Sequence, residues 1–357
     1  MKILFIIDTM QTGGAARVTA ILCNGLLELG HEVYLATNTA TQSISYPLSK
    51  GVNIIPAYKQ HGGLFKKASS LLYHLKILRN FCNSIRPDII IGEQENGALY
   101  GYLAKFGLKI PMIGHRHNSF KILGLSPFQK WVFNKAEVTV LLHNEDKKFC
   151  ANKLNNTCVI YNPCSFKVVP RNNIRKKIVI AVGSINRWHD KGLDIILNVW
   201  QSIIKEYGEW KLEIVGNGKK EDEEFIKNMA EELGISDSVE FTGFIYNVDE
   251  HLREASIFVL PSRVEGFPMV LNEAISQGCA CLAFELDGVL PEIYSNRAVR
   301  QVVDGHIDEY AKELAALMSD ENMRSSLSSQ SQTEIIKYNP ENIVKQWDVL
   351  IRDILKK

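Results

Sequence analysis

Ser256-Ile257-Phe258-Val259-Leu260-Pro261-Ser262-Arg263-Val264-Glu265-Gly266-Phe267-Pro268-Met269-Val270-Leu271-Asn272-Glu273 is the stretch on which the reading of this 357-residue chain turns. Ser256 to Leu260 is apolar, β-branched in part and closed by Pro261, the pattern of a buried strand. Residues 269–277 favour a helix, and Gly278 stands where a C-cap is expected. Glu265 then falls in the loop leaving a strand, and Glu273 about one turn into the next helix. Ligands of α/β sheets bind above the strand C-termini, and a helix N-terminus offers free N–H groups to a phosphate. A carboxylate beside such a site does not bind the phosphate; its natural partners are hydroxyls. Two glutamates flanking an anion site point to a sugar nucleotide, one acid for each polyol.

Working outward, the first half alternates apolar strands, expected over 2–8, 32–37, 88–92, 112–115, 138–142 and 158–161, with helices over 16–29, 65–84, 98–106 and 128–135. That alternation means βαβ units and a doubly wound parallel sheet, an α/β fold. A polar, proline-containing stretch over 162–177 interrupts it and marks a domain boundary. A second series follows, with strands over 178–182, 212–215, 239–241, 257–260 and 280–284 and helices over 193–207 and 221–233. From 307 onward the chain reads as helical, with a break at Asn339-Pro340.

Hydrophobic residues make up 46% and charged residues 23%, so the chain can bury ordinary globular cores. No apolar run reaches the ~18 residues of a membrane span. Lys2-Ile3-Leu4-Phe5-Ile6-Ile7 is cut short by Asp8, too early for a signal peptide, and reads as the first strand. Seven cysteines, an odd number without a Cys-x-x-Cys pair, suit reduced thiols in the cytoplasm. Cys279 and Cys281 read as small buried hydrophobes, and no metal-ligand cluster is evident.

The net charge of +1 hides an asymmetry: residues 1–165 hold 18 basic and 9 acidic side chains, the remainder 23 and 31. Residues 56–87 and 96–136 contain no acid at all. Interleaved apolar residues, Phe65, Leu71, Leu72 and Phe120 among them, make these stretches candidates for an anionic membrane surface. Nucleic acid is not indicated, because aromatic stacking platforms and recognisable motifs are missing.

Three further segments carry chemistry. Gly13-Gly14 follows the first strand and opens a helix, where glycine lets backbone approach a ligand closely. It is not a Gly-x-Gly-x-x-Gly fingerprint and no acid stands at the ribose spacing, which argues against a nicotinamide cofactor. Val182-Gly183-Ser184-Ile185-Asn186-Arg187-Trp188-His189-Asp190-Lys191-Gly192 occupies the equivalent turn of the second half, with Arg187 and Lys191 placed to neutralise a diphosphate. His115-Arg116-His117-Asn118 leaves a strand of the first half.

The run Glu265-Gly266-Phe267-Pro268 with Leu271-Asn272-Glu273 resembles the Glu-x7-Glu motif of retaining glycosyltransferases of the GT-B fold, of the family 4 / group 1 type that assembles bacterial polysaccharides. The resemblance covers essentially the whole chain. It implies two Rossmann-like domains facing across a cleft: an acceptor-side domain over 1–165, a nucleotide-sugar domain over 166–338, and a terminal helix over 339–357 crossing back. It implies that Glu265 touches the transferred sugar and Glu273 holds the ribose. Gly266, Phe267, Met269 and Val270 then belong to the donor loop. Gly14 borders the donor phosphates and Gly216, in Val215-Gly216-Asn217-Gly218, the nucleotide. His117 matches the histidine that hydrogen-bonds the donor sugar, with His115 the competing choice. Two departures stand out. Ser184 replaces the arginine expected after the first glycine, so either Arg187 takes over or phosphate binding is weaker. Ala15 and Ala16 replace the acid expected after the Gly-Gly pair, which leaves acceptor contacts open.

The implied reaction moves a hexosyl or N-acetylhexosaminyl unit from a nucleotide-sugar, UDP-linked, to a polyprenyl-diphosphate-linked saccharide for O-antigen or capsule. It needs no cofactor and no metal, and runs at the cytoplasmic face of the membrane. The rivals are a sugar-nucleotide epimerase of the same fold and a non-catalytic glycan-assembly subunit.

Overall fold

A computed structural model describes residues 1–11, 13–38, 44–57, 64–171 and 174–356; for 64–71 only the backbone is described. The chain divides into two compact units, Met1–Ser165 with Tyr338–Lys357, and Phe166–Lys337. Each is an α/β unit built on one parallel sheet, as the alternation of strands and helices predicts.

In the first unit the strands are β1 (Lys2–Ile6), β2 (Glu32–Thr37), β3 (Asn53–Pro56), β4 (Ile89–Glu93), β5 (Met112–His115), β6 (Val138–Leu141) and β7 (Thr157–Val159). Their order is β3-β2-β1-β4-β5-β6-β7, so the direction of winding reverses between β1 and β4. Ile3 pairs with Ile89 and Glu93 with His115, which sets the ends of β4 and β5 side by side. Short β3 is unforeseen by the sequence, because it is an edge strand whose residues are mostly exposed and whose last residue is Pro56.

Leu4, Ile6, Leu78, Ile90 and Met112 form one part of this unit's core; Phe120, Phe133, Leu141 and Leu154 form another. Phe120 is fully buried with its ring edge-on to Phe133, so it is a core residue and not one that meets a membrane. Arg79, a basic residue of the acid-free stretch 56–87 on the helix Leu64–Ile85, directs its guanidinium onto the carbonyls of Ala104 and Phe106 and not outward to a membrane. The side chains of Phe65, Lys66, Lys67 and Leu71 lie outside the described residues.

The helix Pro340–Leu355 packs within this first unit against the helix Gly14–Glu28. A Cβ on Gly25 would sit 2.5 Å from Val344 Cγ2, so glycine is what allows the approach. Asp348 Oδ1 lies 2.8 Å from His31 Nε2, and the Trp347 ring stands edge-on to His115 at 4.8 Å.

The second unit contains β8 (Lys176–Val182), β9 (Lys211–Val215), β10 (Val239–Gly243), β11 (Ala255–Leu260), β12 (Ala280–Phe284) and β13 (Arg300–Val302), in the order β10-β9-β8-β11-β12-β13. Its winding reverses between β8 and β11. Trp200, Trp210, Ile196, Leu212, Ile257 and Val259 belong to its core. The helix Met269–Ser276 ends as the sequence predicts. Gly278 has φ 82°, its N–H bonds to the Ile275 carbonyl and that of Cys279 to Ala274, which is a Schellman cap. All seven cysteines are unbridged, with Cys279 and Cys281 completely buried. Among the described residues no helix is long and apolar enough to cross a membrane.

Candidate functional site

The reversal of winding in each sheet marks the crevice where an α/β fold binds ligands. In the second unit the segments leaving β8 and β11 meet there. Gly192, at φ 65°, lies so close to the Pro261 carbonyl that an added Cβ would be 1.9 Å from its oxygen. Gly216, after β9, touches the backbone of Gly183 as closely, since a Cβ there would be 1.8 Å from the Gly183 carbonyl oxygen. These contacts explain the glycines seen in the sequence: three loops are pressed together at the C-terminal ends of β9, β8 and β11, with no room for a Cβ at Gly192 or Gly216.

Arg263 fastens the β8 and β11 loops. Its backbone N–H donates to the Asp190 carbonyl at 2.8 Å, and its guanidinium grips Asp194 with two bonds of 2.8 and 2.7 Å and the His189 carbonyl with a third of 2.6 Å. Lys191 is thereby brought to Glu265, with Nζ donating to Oε1 at 2.6 Å. The Ser262 hydroxyl donates to the same oxygen at 2.9 Å. The stem of Lys191 runs over Gly183, where a Cβ would meet it at 3.3 Å. Glu265 is buried to 9% exposure and Glu273 to 4%. Gly266 and Phe267 continue the loop, with the Met269 N–H donating to the Phe267 carbonyl. Met269 and Val270 open the helix that carries Glu273. Arg187 lies at the end of a short 3-10 turn, half exposed, with Nε donating to Asp190 at 3.0 Å.

The first unit places Gly14 at the start of the helix that follows β1, and His117 just beyond β5. Gly13 N–H donates to the Tyr46 hydroxyl at 3.0 Å. β4 runs into the helix Gln94–Ala104 without a loop, a turn taken at Gln94 with φ 58°. Strained backbone of this kind collects at functional sites. The Gln94 side-chain oxygen accepts from Arg116 at 3.1 Å, and Arg116 also pairs with Glu95 at 2.5 Å.

Between these segments stands an arrangement the sequence reading did not find. Glu93 Oε2 is 2.5 Å from His117 Nε2 and 2.9 Å from His115 Nδ1, with all three residues buried. Burial alone would raise the Glu93 carboxyl, but His115 and His117 outweigh it and hold it at about 2. Burial pushes His117 down to about 4, helped by His115 and Arg116 and opposed by Glu93. Glu93 is therefore ionised and His117 neutral at pH 7. The three residues each offer a metal-ligating atom, all within 4.8 Å of one another. The Glu93 contacts are of hydrogen-bond length, shorter than the ~3.3 Å between two atoms each ~2.0 Å from a tetrahedral zinc. A signal was present: Glu93 closes Ile89-Ile90-Ile91-Gly92, at the strand end where ligands bind.

Comparison with known proteins follows the same division. The family "Glycosyltransferase Family 4" matches residues 12–166, and "Glycosyl transferases group 1" matches residues 166–334. An uncharacterized glycosyltransferase of Haemophilus influenzae is 28% identical over 353 residues, 96% of this chain and 97% of the relative. A Campylobacter jejuni α-1,4-N-acetyl-D-galactosaminyltransferase, named for a diNAcBac-PP-undecaprenol-linked saccharide, is 27% identical over 374 residues, covering 99% of both chains. HepE from Anabaena, solved with UDP and glucose, superposes with a TM-score of 0.79 at 16% identity, covering 99% of both chains.

Proposed function

This chain belongs to the GT-B glycosyltransferases of the group 1 and family 4 type, and from that premise we propose that it is a retaining enzyme. It transfers a hexosyl or N-acetylhexosaminyl unit from a UDP-sugar to a lipid-linked saccharide, in the assembly of a surface polysaccharide. The observation that carries this reading is the Lys191–Glu265 contact at the β8/β11 reversal. A cation held on a carboxylate, beside a helix N-terminus, is ready to exchange partners when a diphosphate arrives. Lys191 then turns to the diphosphate, and Glu265 is released to the hydroxyls of the transferred sugar. Arg187 can make the same exchange from Asp190. Glu273, one turn into its helix, accepts from the ribose hydroxyls.

In the retaining step the bond from the sugar C1 to the diphosphate oxygen breaks as the acceptor oxygen bonds C1 on the same face. The acceptor's proton passes to the departing diphosphate oxygen, and the charge left there is met by Lys191, Arg187 and the amides opening the helix Met269–Ser276. Neutralisation by these groups makes a divalent metal unnecessary for this step. The lipid-linked acceptor is supported by the name of the Campylobacter relative. UDP as the donor nucleotide is supported by the ligand of the Anabaena structure.

A bilayer-facing role for the first unit is supported by the acid-free stretch 96–136, though on other residues than Phe120. Phe106, Leu123, Phe128 and Trp131 are all at least 45% exposed, and the Lys135 ammonium lies 5.5 Å from the Trp131 ring. Aromatic residues with basic neighbours suit the interface of an anionic membrane.

A panel of UDP- and GDP-sugars, offered with a prenyl-diphosphate-linked saccharide, tests the reaction. Transfer with retained anomeric configuration, unaffected by EDTA, is expected. Conversion of the sugar nucleotide without an acceptor would instead indicate an epimerase. Glu273→Ala should weaken UDP binding about 10–100-fold by calorimetry, the loss of a charged hydrogen-bond acceptor. UDP affinity equal to wild type removes Glu273 from the ribose.

A further inference from the structure

Glu93 is not accounted for by the donor reading, yet it is one of the most enclosed carboxylates of the first unit, at 1% exposure. An ionised carboxylate can only accept hydrogen bonds. The one ring nitrogen hydrogen-bonded to its Oε2, Nε2 of His117 at 2.5 Å, must therefore carry the proton, while Nδ1 of His115 lies 2.9 Å away without making a hydrogen bond. In a neutral imidazole the proton on Nε2 leaves Nδ1 as a bare acceptor. His117 Nδ1 is buried and has no hydrogen-bond partner. A buried acceptor without a donor is unfavourable, and a ligand hydroxyl would satisfy it.

The surroundings keep the carboxylate in place. An added Cβ on Gly92 would lie 2.5 Å from Ala98 Cα, and one on Gly97 would lie 2.2 Å from the Ile6 carbonyl oxygen, so the end of β4 is wedged under its helix. The His115 ring packs 4.0 Å from that of His117 and is met on another side by Trp347. We propose that Glu93 is a positioning residue: it fixes the His117 ring with its proton on Nε2, so that Nδ1 accepts from a hydroxyl of the transferred sugar. This rests on the reading of His117 as a donor-sugar contact. Carboxylates that orient a histidine in this way commonly change activity 10–100-fold when removed from metal sites, and the same orienting logic applies without a metal.

Nitrogen-15 NMR of the whole chain at pH 7 reads the tautomer directly. His117 should show a protonated Nε2 and a bare Nδ1, and the Nδ1 resonance should move when a UDP-sugar is added but not with UDP alone. Glu93→Gln keeps a carbonyl oxygen that can occupy the Oε2 position. It should retain the Nε2 proton and keep turnover within about fivefold of wild type. Glu93→Met has a similar volume and no oxygen; it should lose the tautomer preference and at least about thirtyfold in turnover, with donor KM within about threefold.

Loss of turnover as large in Glu93→Gln as in Glu93→Met would mean that the charge matters rather than the orientation, and overturns the proposal. So does a His117 proton on Nδ1, or uptake of one tightly held zinc per chain on which activity depends. If no UDP-sugar moves any resonance while the Nε2 proton is in place, the donor reading has failed. The sugar contact at Nδ1 falls with it, while Glu93's hold on the ring remains decided by the tautomer.

Discussion

At the ends of β4 and β5 the first unit encloses a carboxylate between two imidazoles, while at the ends of β8 and β11 the second unit sets an ammonium on a carboxylate that water can still reach. Side-chain exposure separates them: 0% for Glu93 and 4% for His117, against 10% for Glu265 and 17% for Lys191. Both centres join an acid to a nitrogen base at the C-terminal ends of inner strands in similar parallel sheets. In the enclosed one, burial and the fixed contacts decide the protonation states, and no competitor enters cheaply. In the other, water and ligand can replace either partner. One centre is built to hold a geometry and the other to exchange it.

The largest expected effect lies in the exchangeable centre. Glu265→Gln should lower turnover about 100–1000-fold, the scale on which one preorganised polar contact to a transition state acts. UDP affinity by calorimetry should stay within about threefold of wild type. A variant that turns over as fast as wild type would erase the distinction between the two centres.

A smaller effect tests what brings that centre together. Gly192→Ala places a methyl group 1.9 Å from the Pro261 carbonyl oxygen at φ 65°. It should destabilise the protein by about 3 kcal/mol or more in urea unfolding, since both backbone strain and a clash are introduced. Gly305 has φ 81° but no atom within 4 Å of an added Cβ. Gly305→Ala should cost only the ~1–2 kcal/mol of the left-handed conformation. Similar losses in the two variants would mean that the loops of the second unit are not locked by close approach.

The smallest effect belongs to the enclosed centre and concerns pH. His117 binds a proton near its ordinary 6.5 when unfolded but only at about 4 when folded. Its contribution is fully present above pH ~6.5 and is lost as the pH falls toward 4, because the unfolded chain then binds the extra proton. Glu93, held at about 2, adds a second loss at lower pH, from about 4.5 downward. Between pH 7 and 4.5 the His117 part amounts to on the order of 2 kcal/mol. His117→Gln should flatten the fall in urea midpoint over that interval. An identical fall in wild type and variant would place the histidine's proton outside the account.

Much of the second unit was legible because its signals are local. Glu265, Gly266, Phe267 and Glu273 lie within one short run, and the glycines that close the β8 and β9 turns are visible as residues. The role of Arg263 was not, although it stands in the same run, because nothing in sequence pairs it with Asp194, which lies 69 positions away. Glu93 and His117 are separated by 24 positions, and only the register of β4 on β5 joins them. Phe120 shows a different limit. Its basic, acid-free neighbourhood suggested an exposed face, but charge composition does not reveal which way one apolar side chain points, and this one faces Phe133.

The helix Pro340–Leu355 has a consequence for the order in which the protein is made. Its Val344 and Trp347 pack on Gly25 and His115 of a unit whose other residues are all translated before residue 166. A ribosome therefore completes every strand of the first sheet, then the whole second unit, before supplying the last piece of the first core. Throughout that interval Gly25 and His115 wait without their cover. The second unit, continuous in the chain, can finish folding while its elder neighbour is still incomplete.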